Sequence, residues 1–195
     1  MFWISDNYYL NVMIDPIAGV LLISDPFLRD PNFMRTVVFL CEHNANGSFG
    51  FVLNRPFEQT LDEFVPDLEG FFMPVYFGGP VQHDTLHFLH ALPGLIPGGQ
   101  KLVDGIYWGG DFKRVVELIH SGELERDKIR FFIGYSGWSK GQLEEEITEK
   151  SWLTAHAHAG LVFHQDAGEI WRDAIREMDG RYHPIMHYPI DPQLN

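Results

Sequence analysis

The stretch RTVVFLCEHNANGSFGFVLNRP, from Arg35 to Pro56, limits what this chain can fold into more than any other. Two apolar runs, 37–41 and 49–53, flank an Asn46-Gly47 pair. Asn-Gly between such runs marks a β-hairpin, because both residues tolerate positive φ. Side chains alternate along a strand, so Val37, Phe39, Cys41 and His43 are expected on one face and Val38, Leu40 and Glu42 on the other. Pairing Cys41 with Val52 places Asn54 near Phe39, and a two-residue slip of register keeps these faces. Apolar residues on both faces point to a strand covered on both sides. Polar groups at its rim, Glu42, His43, Asn54 and Arg55, then need partners. Those partners are either each other and the turn backbone, or a ligand in a shallow pocket at the strand ends.

Before the hairpin, residues 1–17 carry Trp3, Tyr8, Tyr9 and Leu10 and read as a short segment docked on the body. Residues 18–24 read as an apolar strand ended by Asp25-Pro26, and DPFLRDPNF reads as a loop over the sheet. After the hairpin, Thr60 as N-cap with Glu63 three residues on predicts a helical turn over 60–65, stopped by Pro66. Strands are expected at 74–78, 86–92, 101–108, 128–135, 153–158 and 161–164. Asp111 caps a helix over 112–120, with Phe112, Val115, Val116 and Ile119 on one face and Gly122 after its end. Asp166 and Glu169 have the spacing to open a second helix, 167–178, with Ile170, Trp171, Ala174, Ile175 and Met178 inward. The tail HPIMHYPIDPQLN is Pro-rich. Strands outnumber helices and arrive first as hairpins, which argues α+β rather than doubly wound α/β. At 195 residues the chain fits one domain, 1–195, with 1–17 and 180–195 peripheral.

Two motifs invite chemistry. Gly134-Tyr135-Ser136-Gly137-Trp138 begins like a nucleophile elbow, but the fifth position of G-x-S-x-G must be small and Trp138 stands there. The better reading is a turn into a capped helix. Ser139 and Gln142 have capping-box spacing, Glu144, Glu145 and Glu146 lie in the first turns, and Leu143 and Ile147 form the buried face. The acidic run then reads as a solvated helix face. Tyr135, Trp138 and Trp152 either line a ligand groove or belong to the core. His83, His87 and His90 raise a metal hypothesis, since histidines four apart line one helix face. Their segment alternates like a strand, however, which sends His87 and His90 to opposite faces. No metal site is expected.

DPFLRDPNFMRTVVFLCEHNANGSFGFVLNRP closely resembles the opening signature of the AlgH/YqgE family of bacterial proteins. FGGPV at 77–81, then GYSGWSKGQLEEEI and SWL between Gly134 and Leu153, follow in the family's order. The resemblance runs from about Gly19 to about Trp171. Two departures stand out. Ser24-Asp25-Pro26 replaces the usual small residue and Met before the proline, and Ser136 stands where the family commonly has alanine. The resemblance implies a bifurcated mixed β-sheet forming a pseudo-barrel with helices packed outside. The family label implies a transcriptional regulator, and it brings neither a cofactor nor a metal.

Charge and composition narrow the function. The formal charge of −13 repels phosphate backbones and argues against direct nucleic-acid binding. The single cysteine, Cys41, excludes an intramolecular disulfide. No apolar run approaches the ~18 residues of a membrane span, and no basic n-region precedes an apolar segment, so the expected location is cytoplasmic. The reading that follows is a non-enzymatic binding or regulatory protein acting through a protein partner or a small ligand. Its candidate ligand-binding residues are Arg35, Glu42, His43, Asn54, Arg55, Tyr135, Trp138 and Gln142, and no catalytic residue is named. The alternative is a hydrolase using the rim of Arg35, Cys41, Glu42, His43, Asn54 and Arg55. Against it, Cys41 and His43 lie about 6.5 Å apart along one strand, beyond hydrogen-bond reach.

Overall fold

The computed structural model describes residues 14–188. The aromatic segment around residues 3–10 and the last seven residues of the tail lie outside this range. Among the described residues, ten strands build one curled sheet. They are β1 (Val20–Ser24), β2 (Val37–Asn44), β3 (Gly47–Val52), β4 (Pro56–Thr60), β5 (Pro74–Phe77), β6 (Val81–His90), β7 (Gln100–Val103), β8 (Ile106–Trp108), β9 (Ile129–Ser139) and β10 (Trp152–His156). Five helices accompany them: α1 (Leu61–Phe64), α2 (Phe112–Ser121), α3 (Gln142–Thr148), α4 (Ala159–Val162) and α5 (Ile170–Arg176). The fold is α+β.

The sheet forks at β9. One edge of this strand carries β6 along residues 129–135. The other edge is shared, with β5 parallel to residues 131–133 and β3 antiparallel to residues 136–139. Beyond β3 the order runs β2, β1, β10; beyond β6 it runs β8, β7; β4 pairs with β5. Alternating side chains then give three cores. Val37, Phe39, Phe51, Leu53 and Phe132 point to the concave face, where α4 and α5 add Leu161, Val162, Ile170, Trp171, Ala174 and Ile175. On the convex face, Leu22, Val38, Leu40, Val52, Trp138 and Trp152 pack with Leu143 of α3. Its other wing places Val75, Phe88, Phe131 and Ile133 against Val115, Leu118 and Ile119 of α2. Two of the sequence motifs meet at the fork. Gly78 takes an N–H from Val52 and gives its own to the Ile133 carbonyl, while Ser136 Oγ donates to the Gly78 carbonyl at 3.0 Å. Gly79 has φ +151, and a Cβ there would sit 2.3 Å from the Ser136 nitrogen, so only glycine fits.

Several local expectations hold. Thr60 precedes α1 with Glu63 accepting its N–H at 3.0 Å. Asp111 accepts from the Arg114 N–H at 3.2 Å, and Gly122 closes α2 in the left-handed region at φ 74. Others are corrected. GYSGWS is not a turn but the second half of β9, and α3 starts only at Gln142 after a Lys140-Gly141 turn. Only one arm of the expected box forms, Gln142 Oε1 accepting from the Ser139 N–H at 3.0 Å. Residues 101–108 are two strands joined at Asp104-Gly105, a turn signal inside an apparently continuous run. Residues 161–164 are not a strand, because 159–162 close a helical turn on His158 carbonyl hydrogen bonds. The last helix is only Ile170–Arg176, since Asp166 spends its carboxylate on the Gly168 N–H in a turn rather than capping. The tail is also better held than expected. Residues Gly180–His187 form a 3-10 segment whose Tyr182, Ile185 and Met186 pack on the concave core. No helix among the described residues is long and apolar enough to cross a membrane.

Candidate functional site

The hairpin departs from its expected register, and the departure decides where its polar groups go. Val38 faces Val52 and Phe39 faces Phe51, so Cys41 is not opposite Val52 and Asn54 is not near Phe39. Leu40 then faces Gly50 while Glu42 faces Phe49, leaving Cys41 as an unpaired bulge residue. One inserted residue reverses the alternation beyond it. Glu42 therefore joins the concave side with Phe49, and His43 moves to the convex side, the reverse of the simple alternation. The two-residue loop is Ala45-Asn46, with Asn44 Oδ1 accepting the Asn46 N–H at 2.8 Å. Gly47 is already in β3 at φ 140, where a Cβ would lie 2.4 Å from the Trp138 carbonyl. It is needed for close approach to β9 rather than for the turn.

The eight candidate residues fall into three places. Arg35, Asn54 and Arg55 lie at the root of the hairpin, separated from His43 by eight residues of β2 or about 26 Å of strand. There Asn54 ties the chain together, Oδ1 accepting from the Val37 N–H at 3.0 Å and Nδ2 donating to the Arg35 carbonyl at 2.8 Å. Arg55 Nη2 donates to the Met34 carbonyl, and Arg35 Nη2 donates to the Tyr188 carbonyl with its guanidinium 4.9 Å from the Trp171 ring centre. Burial lowers the pKa of both arginines, with Arg172 adding to the effect at Arg35. His43 and Gln142 sit on the convex side with α3. His43 Nδ1 is 2.7 Å from Ser48 Oγ and its Nε2 is 3.8 Å from Glu144. Gln142 Nε2 donates to Glu146. Only Glu42, Tyr135 and Trp138 border a common concavity.

That concavity, about 510 Å³, opens on the concave side where the hairpin tip meets β9, β6 and β8. Phe49, Tyr135, Trp108 and His87 line it, with Val81 and Gly137 below and Glu42, Asn44 and Ser48 at the mouth. The rings meet at angles: Phe49 and Trp108 are 4.9 Å apart and tilted 62°, Phe49 and Tyr135 5.9 Å and 76°, His87 and Tyr135 6.1 Å and 90°. Among the described residues Glu42 is the one with a formal charge on the wall, and it accepts a hydrogen bond from Asn44 Nδ2. Sequence reasoning passed over Phe49, Trp108 and His87 as groove residues. Phe49 and Trp108 read as ordinary strand aromatics, and the fork that brings β8 beside β3 leaves no local signal. Cys41 is fully buried with Sγ 3.7 Å from the Phe39 carbonyl, and burial pushes its pKa well up, so no thiolate is available.

The three histidines of β6 diverge. His83 lies edge-on to Phe77, His87 enters the groove, and His90 is fully buried on the opposite face, stacked on Tyr107. His90 Nδ1 accepts the Leu92 N–H at 3.1 Å while Nε2 lies 3.0 Å from the Gly109 carbonyl, which fixes the neutral Nε2–H tautomer. Burial lowers its pKa, against a smaller upward pull from the Gly109 carbonyl, and burial lowers that of His87 too. A depressed folded pKa means that the unfolded chain binds protons first, near pH 6.5. Stability is therefore complete above about pH 6.5 and is lost as pH falls through the folded values. Urea midpoints are expected to drop between pH 7.5 and 5, with a shallower drop in His90→Gln. An unchanged slope would show that His90 does not carry the effect.

A family model described as AlgH-like matches residues 21–183. A UPF0301 protein of Chlorobium luteolum is 45% identical over 178 residues, 91% of this chain and 94% of that protein. A UPF0301 protein of Cytophaga hutchinsonii is 41% identical over 178 residues, 91% of this chain and 98% of its own length. The solution structure of the AlgH protein from Pseudomonas aeruginosa superposes with a TM-score of 0.70 at 29% identity, covering 88% of this chain and 94% of that one. A crystal structure from Corynebacterium diphtheriae shares the fold with a TM-score of 0.77 at 20% identity, covering 90% of this chain and 94% of its own. With the matched residues spanning both wings of the forked sheet, from β1 to the 3-10 segment after α5, the chain belongs to the AlgH-like family.

Proposed function

We propose that this protein is a non-catalytic binding protein that acts in regulation through a small ligand held in the groove at the hairpin tip. The observation that carries this reading is the groove itself, four half-buried rings converging on a concavity of ligand size with Glu42, Asn44 and Ser48 at its mouth. One arrangement favours a hydrolase instead, since Ser48, His43 and Glu144 lie in sequence at 2.7 and 3.8 Å. Acyl transfer also needs free N–H donors for the oxyanion. Ser48 sits inside a strand paired on both edges, with β2 and with β9, rather than on a turn that presents its N–H groups to a substrate. Turnover of p-nitrophenyl acetate that disappears in Ser48→Ala would reverse this ranking.

The test is a thermal-shift panel of metabolites, nucleotides and short peptides on the full chain, since a ligand that binds only the folded state raises Tm by mass action. At least one hit is expected, abolished by Trp108→Leu and kept by Arg55→Ala, whose side chain lies at the far end of the hairpin. Hits that depend on Arg55 and not on Trp108 would move the site to the hairpin root.

A further inference from the structure

We infer that the groove recognises a quaternary or N-methylated ammonium group on a small molecule; the inference rests on the groove being the ligand site. The geometry of the rings excludes the commoner aromatic use. A sandwiched nucleobase needs two parallel faces about 7 Å apart. Here the rings are already in contact, with centroids 4.9 to 6.4 Å apart, and tilted 39 to 90° to one another. Nothing flat can enter between them. What tilted rings around one concavity do offer is an aromatic corner, lined here by Phe49, Trp108 and Tyr135. A cation with an apolar shell fits such a corner, being attracted by the ring quadrupoles and losing little hydration.

The electrostatics point the same way. Glu42 stands at the mouth, and among the described residues no lysine or arginine lines the groove. The net charge of −13 repels anions and draws cations toward the opening. The register bulge at Cys41 is what places this carboxylate beside Phe49, since uninterrupted alternation would have sent it to the convex side. Neutral apolar ligands would gain from the rings but nothing from Glu42, and phosphorylated ligands would lose at both.

Isothermal titration of the full chain with choline and with its uncharged carbon isostere, 3,3-dimethylbutan-1-ol, separates charge from shape. Choline is expected to bind about tenfold more tightly than the isostere, as a partly desolvated cation–π site implies. Trp108→Leu should abolish binding, and Glu42→Gln should weaken choline several-fold while leaving the isostere unchanged. Equal affinity for the two would overturn the cation assignment and leave the groove as an apolar ligand site. Binding of adenosine or AMP in preference to choline would overturn it as well. Failure of every probe to bind, with Trp108→Leu still folded by circular dichroism, would overturn the groove as a ligand site together with its assignment. A trimethyl-lysine peptide is run in parallel. Tighter binding of the peptide than of choline would overturn the small-molecule source in favour of a modified protein side chain.

Discussion

Replacing Glu146 with alanine is expected to lower folding stability by roughly 2–4 kcal/mol. Glu146 Oε2 accepts from both indole nitrogens, Trp138 Nε1 and Trp152 Nε1, each at 2.8 Å, and Oε1 accepts from Gln142 Nε2 at 2.9 Å. Both indoles are buried, and Phe33 packs against the pair, stacked on Trp138 and edge-on to Trp152. Removing the carboxylate leaves two N–H donors facing a site where little water can replace it, and each bond to a charged acceptor contributes about 1.5–3 kcal/mol. Partial exposure of Glu146 keeps the total near the lower sum. Glu146→Gln retains an acceptor oxygen and is expected to cost about 1 kcal/mol. Urea denaturation with near-ultraviolet circular dichroism checks both. An alanine variant within 0.5 kcal/mol, as is common for an exposed glutamate, would show that the carboxylate does not clamp the tryptophans.

Arg130→Ala is expected to be as damaging, at about 3–4 kcal/mol, for a different reason. Arg130 is 4% exposed and crosses from β9 to the ends of two distant segments, Nη1 donating to the Leu53 carbonyl at 3.0 Å and Nη2 to the His164 carbonyl. Its guanidinium lies 4.3 Å from the Tyr76 ring centre, and among the described residues it has no carboxylate partner. Burial accordingly lowers its pKa, with Tyr76 pulling the other way. Two effects compete on substitution. Removing a buried cation relieves a desolvation cost of several kcal/mol, while two carbonyls lose their donors and a large cavity opens. In alanine the cavity and the carbonyls together win. Methionine fills most of the volume and keeps the relief, so Arg130→Met is expected to cost only about 1 kcal/mol. Guanidinium midpoints at constant slope decide the matter; equal losses in the two variants would mean that the hydrogen bonds dominate and the cavity does not.

How far the sequence reveals all this depends on whether the signal is local. The caps at Thr60 and Asp111, the strands at 37–41 and 128–135 and the α+β class were legible because propensity, periodicity and end residues agree there. Glu146 was not. An acidic residue in a helix beside two other glutamates looks solvated, and only the packing of α3 against both β9 and the returning β10 brings two indoles to it. The groove was half legible for the same reason. Glu42, Tyr135 and Trp138 belong to the recognisable motifs, whereas Trp108 arrives on β8 and His87 on β6, elements whose neighbours are set by the fork. The hairpin's polar rim shows the opposite error. Grouping Arg35, Asn54 and Arg55 with Glu42 and His43 ignored that a hairpin has two ends, and the bulge at Cys41 then exchanged the faces of its last two polar residues.

The shared strand β9 also sets a timetable. Both wings of the sheet hang on residues 129–139, yet all three strands that pair with them, β3, β5 and β6, precede that point in the chain. During synthesis the N-terminal strands must wait, with unpaired edges, until two-thirds of the chain has left the ribosome, and β1 waits longer still for β10. Pairings of such sequence separation fold slowly and leave sticky intermediates. A fork that stabilises the finished molecule therefore makes the nascent one a natural client of chaperones.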